Sequence, residues 1–480
     1  MKKMCFTAAA LLIVNCLLCQ SITGNWEGNL DVNGTALPIV FHIKKDSTGK
    51  LVSTFDSPKQ KAYNLPCSDV IVKEDSVIIL IKMVNGNYSG KTGMDKKQIT
   101  GVWNQGNNSF PLDIIKTSDI VIIKEFNRPQ TPHPPYQYVS QDVEYTNADK
   151  SIQYSGTITY PNPGSYREGM LKYPAVILIT GSGQQDRDET IFDHKPFAVI
   201  ADHLTKNGMV VLRVDDRGKG KSSGDFSKST TADFAKDVEA SLTFLKTRKE
   251  VNQKKIGLIG HSEGGMIAPM VASSNKDIAF IILLAGPGIK ITALMEQQNI
   301  DVLKADGLNT VELEQYRPLY KKLVASILNE KDSSKAIEKG ITVFKTWQRG
   351  RSDALVKNTT GVTDDKSLQN YIKAFVVQLN SPWFNYFMKF NPGDYLQNVK
   401  CPVLALNGEK DIQVSAKANL TALKKYLSKN KKLTAIEIPG VNHLFQHCLK
   451  CTLDEYGDLE ETFSPEVLWI MSDWIKRIIQ

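Results

Sequence analysis

Lys255-Ile256-Gly257-Leu258-Ile259-Gly260-His261-Ser262-Glu263-Gly264-Gly265-Met266 decides how the chain is read. A short apolar run ends in Gly-x-Ser-x-Gly, and a helix-compatible segment follows. The order is strand, sharp turn, helix. A serine at such a turn sits in a strained backbone conformation. Side chains at the flanking positions would collide with neighbouring backbone, and glycine avoids the collision. The hydroxyl is then held up at the carboxyl end of a sheet, at a helix N-terminus. The five-residue pattern also describes an ordinary Gly-rich turn, so its meaning rests on a base, an acid and an oxyanion site elsewhere in the chain.

The surroundings supply the sheet. Continuously apolar runs occur at Ala175 to Ile179, Met209 to Val214, Ile256 to Ile259 and Ile278 to Leu284, with helical patterns between them. Such runs fit strands buried on both faces, and the alternation fits right-handed crossovers and a parallel sheet. Val139 to Tyr145 and Ile152 to Tyr160 read as two antiparallel strands ahead of them. From Ile289 to about Lys400 no such strand is expected; the segment is polar and helix-prone and ends in Pro382-Trp383-Phe384-Asn385-Tyr386-Phe387. The strand pattern resumes at Val403 to Leu406 and Leu433 to Ile438. The intervening helices, residues 289–400, read as a cap over the sheet's carboxyl edge. Pro465 to Ile479 reads as a closing helix with Ser464 as its N-cap.

A serine hydroxyl is a poor nucleophile at neutral pH and needs a base, usually His, plus a group that orients that His. In the hydrolase version of this sheet the chain order is Ser, then Asp or Glu, then His. Asp411, in Asn407-Gly408-Glu409-Lys410-Asp411, follows an apolar strand and is the acid candidate, with Glu409 its competitor. His443, in Pro439-Gly440-Val441-Asn442-His443, also follows an apolar strand and is the base candidate. His447 is the alternative. His261 adjoins Ser262, and adjacent residues at a sharp turn point apart. The oxyanion site needs two backbone N–H groups: one from Glu263, the other from Thr180-Gly181-Ser182-Gly183-Gln184, at Ser182 or else Gly183. The Glu263 side chain is either a carboxylate stabilised at a helix N-terminus or a contact for a substrate ammonium. Gln185-Asp186-Arg187-Asp188-Glu189 and Asp215-Asp216-Arg217-Gly218 read as ion pairs that brace loops, with substrate recognition as the other possibility. The aromatic residues Trp383, Phe384, Tyr386 and Phe387 either line an acyl pocket or form core.

The N-terminal quarter has a different grammar. From Ile22 to about Lys124, short alternating runs are broken by turn residues, as in an all-β sandwich or barrel. Gly24-Asn25-Trp26 and Gly101-Val102-Trp103 echo each other near its two ends. A Gly-x-Trp on closing strands would bury the indole and let backbone pack against it. Pro129 to Pro135 can join neither a ladder nor a helix, and marks a linker. The expected organisation is a signal peptide at 1–19, a small all-β, barrel-like domain at 20–125, a Pro-rich linker at 126–138 and an α/β domain at 139–480. The basic start Met1-Lys2-Lys3 and the apolar run Phe6 to Leu18 carry the leader reading, and imply an exported protein, periplasmic or secreted. Lipidation at Cys19 is disfavoured by the bulky Leu18 before it. Later in the chain, no run is long and apolar enough to span a bilayer.

Formal charge is +8 over 480 residues, with Lys and Arg scattered. No aromatic-interleaved basic patch appears, so nucleic acid is not an expected partner. Export permits disulfides. Cys448-Leu449-Lys450-Cys451 has metal-like or redox-like spacing without a second pair, so a local disulfide or free thiols are expected, with no metal and no cofactor.

Taken together, the motifs resemble the α/β-hydrolase superfamily. Within it they are similar to an exported bacterial branch, carboxylesterase or serine aminopeptidase-like, that joins a small β domain to a hydrolase with a helical cap. The resemblance rests on Gly181 to Glu189, Asp215 to Gly218, Gly260 to Gly265, Asn407 to Asp411 and Asn442-His443. It covers the chain from about Tyr136 to its end. It implies Ser262 as nucleophile, His443 as base and Asp411 as orienting acid, acting on small carboxylic esters. The loop opens with Thr180-Gly181, where the family commonly has His-Gly. A peptidase of the aminopeptidase or prolyl oligopeptidase kind is the alternative, since the same triad serves both reactions. The β domain is too short for a prolyl oligopeptidase propeller. A binding module with an inactive hydrolase domain is the third reading.

Overall fold

Val251–His261 is a strand, and among the described residues it lies in the middle of an eight-stranded sheet. The order across that sheet is Tyr138–Thr146, Gln153–Pro161, Val210–Val214, Tyr173–Ile179, Val251–His261, Ile278–Leu284, Val403–Gly408 and Leu433–Ile438. The first two strands run antiparallel to their neighbours, and the rest pair in parallel. The apolar runs are buried on both faces: Ile256, Leu258 and Ile281 face one cluster, and Ile259, Phe280 and Ile282 face the other. Helices cover both sides, which is why these strands carry no polar alternation.

The computed structural model describes residues 22–479, except 33–34, 47, 59–61, 85, 94–95, 107, 118–126 and 163–171. The leader read over residues 1–19 lies outside the described residues. The chain divides into two compact units, residues 1–125 and 126–480.

The first unit is all β. Its strands form one sheet whose two end strands, Ala62–Pro66 and Asp69–Lys73, are separated by only two residues of chain. At that link Cys67 N–H bonds the Ser53 carbonyl (2.9 Å) and Ser68 N–H bonds the Leu80 carbonyl (2.6 Å). The sheet therefore curls until its edges meet, which leaves little open edge. Trp26 and Trp103 both lie in its core, with Phe41 and Phe55. A Cβ on Gly101 would sit 2.4 Å from the Tyr88 hydroxyl, so the glycine makes room for a core tyrosine.

In the second unit the proline-rich segment is fastened along its own domain. The Arg128 guanidinium donates to the carbonyls of Phe192 (2.8 Å), Gly457 (2.9 Å) and Leu459 (2.5 Å). The Gln130 amide donates to Phe463 O (2.7 Å) and accepts from Thr462 N (2.6 Å). Side chains thus satisfy backbone groups that no ladder reaches.

Between Ile278–Leu284 and Val403–Gly408 the described chain is helical, from Ile291–Ala305 to Gly393–Leu396. Helix starts carry side-chain caps at Asn309, Asp332, Ser352, Asp364 and Ser381. Each supplies an acceptor to N–H groups that a helix leaves unpaired. The cap has its own apolar cluster, and Met266 and Met270 from the helix after Ser262 belong to it. The closing helix is Pro465–Ile478, one residue shorter than the sequence reading. Ser464 precedes it, but its buried hydroxyl makes no capping bond; Pro465 sets the first turn.

Candidate active site

Ser262 directly follows the central strand with φ of 52°, in the left-handed region that costs a non-glycine residue free energy. Its N–H bonds Leu284 O at 2.8 Å, and the helix Gly264–Ser274 follows at once. A Cβ on Gly260 would lie 2.0 Å from Gly264 O, and one on Gly264 would lie 2.2 Å from Ile179 O. Only glycine lets the strand, the turn and the neighbouring strand's end approach this closely.

Asp411 and His443, 32 residues apart, are brought together by the ends of adjacent strands. His443 Nδ1 lies 2.8 Å from Asp411 Oδ2, and both side chains are buried. Asp411 also accepts from the N–H groups of Gln413 and Val414 (both 2.8 Å) and from Asn407 Nδ2 (3.2 Å). A carboxylate so surrounded by donors takes the Nδ1 proton as another, which leaves the His443 Nε2 lone pair outward. Ser262 and His443 line the same cavity of about 290 Å3.

The two competitors sit elsewhere. Glu409 is exposed and accepts from Gly440 N (3.0 Å). His447 is half exposed and faces Glu461 (2.9 Å). Neither lines the cavity.

Ser182 and Glu263 line the cavity beside Ser262, whereas Gly183, with φ of 96°, lines a smaller neighbouring space. The amides of Ser182 and Glu263 have no acceptor among the described residues. The Glu263 side chain is fully buried. It accepts from Thr231 Oγ1 (2.6 Å), from Trp383 Nε1 (2.9 and 3.0 Å) and from the Ser182 hydroxyl. Burial raises its carboxyl above the usual range, against the pull of those three donors.

The cap closes the cavity with Trp383, Phe384 and Phe387, together with Leu294 and Met295. Tyr386 does not reach it. That residue lines a separate cleft with Asn385, Lys389 and Tyr395. The helix Pro382–Lys389 explains the correction: at about 100° per residue, positions 383, 384 and 387 share one arc and 386 falls outside it.

Sequence reasoning missed a second buried pair. His261 Nδ1 lies 2.9 Å from Glu189 Oε1, and its Nε2 lies 3.1 Å from the His443 carbonyl. Glu189 Oε1 also accepts from Gly181 N at 2.6 Å. The remainder of the charged run does brace loops. Arg187 forks onto Asp215 (2.6 and 3.1 Å) and reaches Asp142 (2.9 Å), while Arg213 pairs with Asp188.

Cys448 and Cys451 form a disulfide. Glu455 beside them accepts from the N–H groups of Leu449, Lys450 and Cys451. Both sulfurs and the carboxylate, the one grouping of possible metal ligands found among the described residues, are thus engaged.

The sheet order, the strained serine turn and the helical insertion are those of the α/β-hydrolase fold. Residues 194–358 match the family model described as serine aminopeptidase, S33, a span that holds Ser262 but neither Asp411 nor His443. An esterase of Thermotoga maritima, EstD, is 24% identical over 289 residues, which is 60% of this chain and 57% of that protein. The chain thus spans little more than half the length of that relative. An uncharacterised Escherichia coli protein is 21% identical over 313 residues, 65% of this chain and 93% of the relative. Among solved structures, a Pyrococcus furiosus esterase aligns over 71% of this chain and 93% of its own, at 17% identity and a TM-score of 0.40.

Proposed function

We propose that the chain is a carboxylic ester hydrolase that works through an acyl-enzyme. The observation that carries this reading is the convergence on one cavity of the strained Ser262, the outward Nε2 of His443 and two amides without acceptors. His443 Nε2 takes the Ser262 proton as Oγ bonds the ester carbonyl carbon, and the carbonyl oxygen becomes an oxyanion received by the amides of Glu263 and Ser182. The intermediate collapses, the C–O bond to the alcohol breaks, and His443 returns the proton to the leaving oxygen. Water, deprotonated by His443, then splits the acyl-serine. Asp411 holds the imidazole in the tautomer that makes Nε2 the base.

An ester is favoured over an N-terminal peptide by the state of the carboxylates. Glu189 and Glu263, which line the cavity, are both taken up by protein donors. Neither is open to a substrate ammonium. The wall of Trp383, Phe384, Phe387, Leu294 and Met295 suits a small apolar acyl group. Export is part of the proposal; the basic and apolar leader supports it, and the Cys448–Cys451 disulfide fits an oxidising compartment.

A fluorophosphonate probe tests the chemistry. It should label the wild type and not Ser262→Ala, whose turnover of p-nitrophenyl acyl esters should fall by roughly 10⁶-fold. Labelling that survives the substitution sinks the reading, and faster turnover of aminoacyl-anilides than of acyl esters sinks the ester preference.

A further inference from the structure

Beside an ionised Glu189, His261 cannot satisfy its two partners as a neutral ring. Its Nε2 faces the backbone carbonyl of His443, an obligate acceptor, at 3.1 Å. Its Nδ1 faces Glu189 Oε1 at 2.9 Å, an oxygen that already accepts from Gly181 N at 2.6 Å. A neutral imidazole donates from one nitrogen only. A ring with Nε2 bare would set lone pair against lone pair at the His443 carbonyl. A ring with Nδ1 bare would do the same at Glu189. Both side chains are buried, at 9% and 8% exposure, where such a clash is little screened by solvent. Burial disfavours the cation, but the Glu189 charge and hydrogen bond, the His443 carbonyl and the Asp411 charge together outweigh it and raise the His261 basicity.

We propose that His261 is held as an imidazolium by the Glu189 carboxylate, and that this buried ion pair locks together the three loops that build the reaction site. One end of the pair holds the loop of Gly181 and Ser182, through Gly181 N. The middle is His261 itself, one residue before Ser262. The other end holds the backbone of His443. The inference rests on the ester-hydrolase reading for the role of those loops, but not for the protonation state of His261. Glu189 and His261 are positioning residues: neither bonds the substrate.

The local structure is built to present Glu189. It has φ of 52°, a left-handed value at a non-glycine residue. Asp186 holds the turn by accepting from the N–H groups of Asp188 and Thr190 (both 3.0 Å). A Cβ on Gly181 would come within 3.1 Å of Glu189 Oε1 and 3.2 Å of Ser262 Cβ, so the three segments are in contact there. Unlike Arg187 and Asp188 beside it, Glu189 turns inward to the cavity.

Nitrogen-15 NMR of the full chain reads the first part, with His261 assigned by its loss in His261→Gln. Both ring nitrogens should be protonated at neutral pH in the wild type. One bare nitrogen overturns the proposal, and this arm needs no variant to fold. Glu189→Gln reads the second part. It keeps the shape and an acceptor oxygen but removes the charge, so His261 should lose one ring proton. Turnover should fall roughly ten- to a hundredfold, the scale on which slight misplacement of reacting groups costs rate, with KM within about threefold. Unchanged kcat overturns the locking role, as does a fall in kcat that Glu189→Gln shares with no change at His261. If the wild type neither hydrolyses esters nor takes the fluorophosphonate, the function reading fails while the NMR result still decides the ion pair.

Discussion

The base loop and the serine turn each carry a buried histidine against a carboxylate, with ring centroids 4.9 Å apart. The pairs look alike, and in the proposed mechanism they do opposite things. In the His443–Asp411 pair one ring nitrogen is tied and the other faces the cavity. In the His261–Glu189 pair both nitrogens end on acceptors. An imidazole can move protons only if one nitrogen is left for the substrate side. The contrast teaches that a histidine-carboxylate pair is defined as base or as brace by what stands at its second nitrogen.

The sharpest break between the two comes from removing each carboxylate's charge. Asp411→Asn should cut turnover by on the order of 10⁴-fold, because the amide can donate to Nδ1 and so select the wrong tautomer. Glu189→Gln should cost far less, as set out above, because its histidine passes no proton. Steady-state kinetics of the two variants on one p-nitrophenyl ester decide it. Equal losses would make the distinction between base and brace untenable.

The same contrast shows which parts of the site were legible. Strand periodicity and Gly-x-Ser-x-Gly are local, so the sheet and Ser262 could be read directly. Asp411 and His443 could be read because each directly follows an apolar run, in a required order. Glu189 and His261 are 72 residues apart, and no spacing rule joins them. Glu189 was submerged in a charged run, and most of that run does brace loops. Trp383 meets Glu263 across 120 residues, equally beyond any pattern. Tyr386 is a different kind of miss. Ser381-Pro382 is a helix-start signal that fixes the phase of the aromatic residues and separates Tyr386 from Trp383, Phe384 and Phe387. Which arc would face the cavity depended on how the cap sits on the sheet.

Glu263 extends the comparison to a carboxylate held by neutral donors in place of an imidazole. Trp383→Phe removes the indole N–H that both its oxygens share. The loss of a donor to a buried carboxyl should cost about 1–3 kcal/mol of stability, measured by urea unfolding. Ester KM should rise by only a few fold, since Phe keeps the apolar wall. A loss of kcat as deep as that of Glu189→Gln would instead place Trp383 with the bracing residues.

The effect furthest from turnover concerns a carboxylate with no cation at all. Asp216 accepts from Thr180 Oγ1 (2.8 Å) and Gln185 N (2.7 Å) beneath the same loop, and no ion pair reaches it among the described residues. Burial pushes its carboxyl from 3.8 up to about 7, helped by the charges of Glu189 and Glu263 and opposed by its two donors. The folded state therefore keeps a proton that the unfolded chain has released. The stability this provides is complete below pH about 4, is lost as pH rises towards about 7, and changes no further above that. Asp216→Asn should remove that part of the slope in unfolding free energy against pH, leaving the Glu189 and Asp411 pairs as they were. If the slope between these limits is unchanged, Asp216 ionises freely in the fold. The negative charge beneath the loop would then be larger, and the His261 cation would be needed to balance more than Glu189.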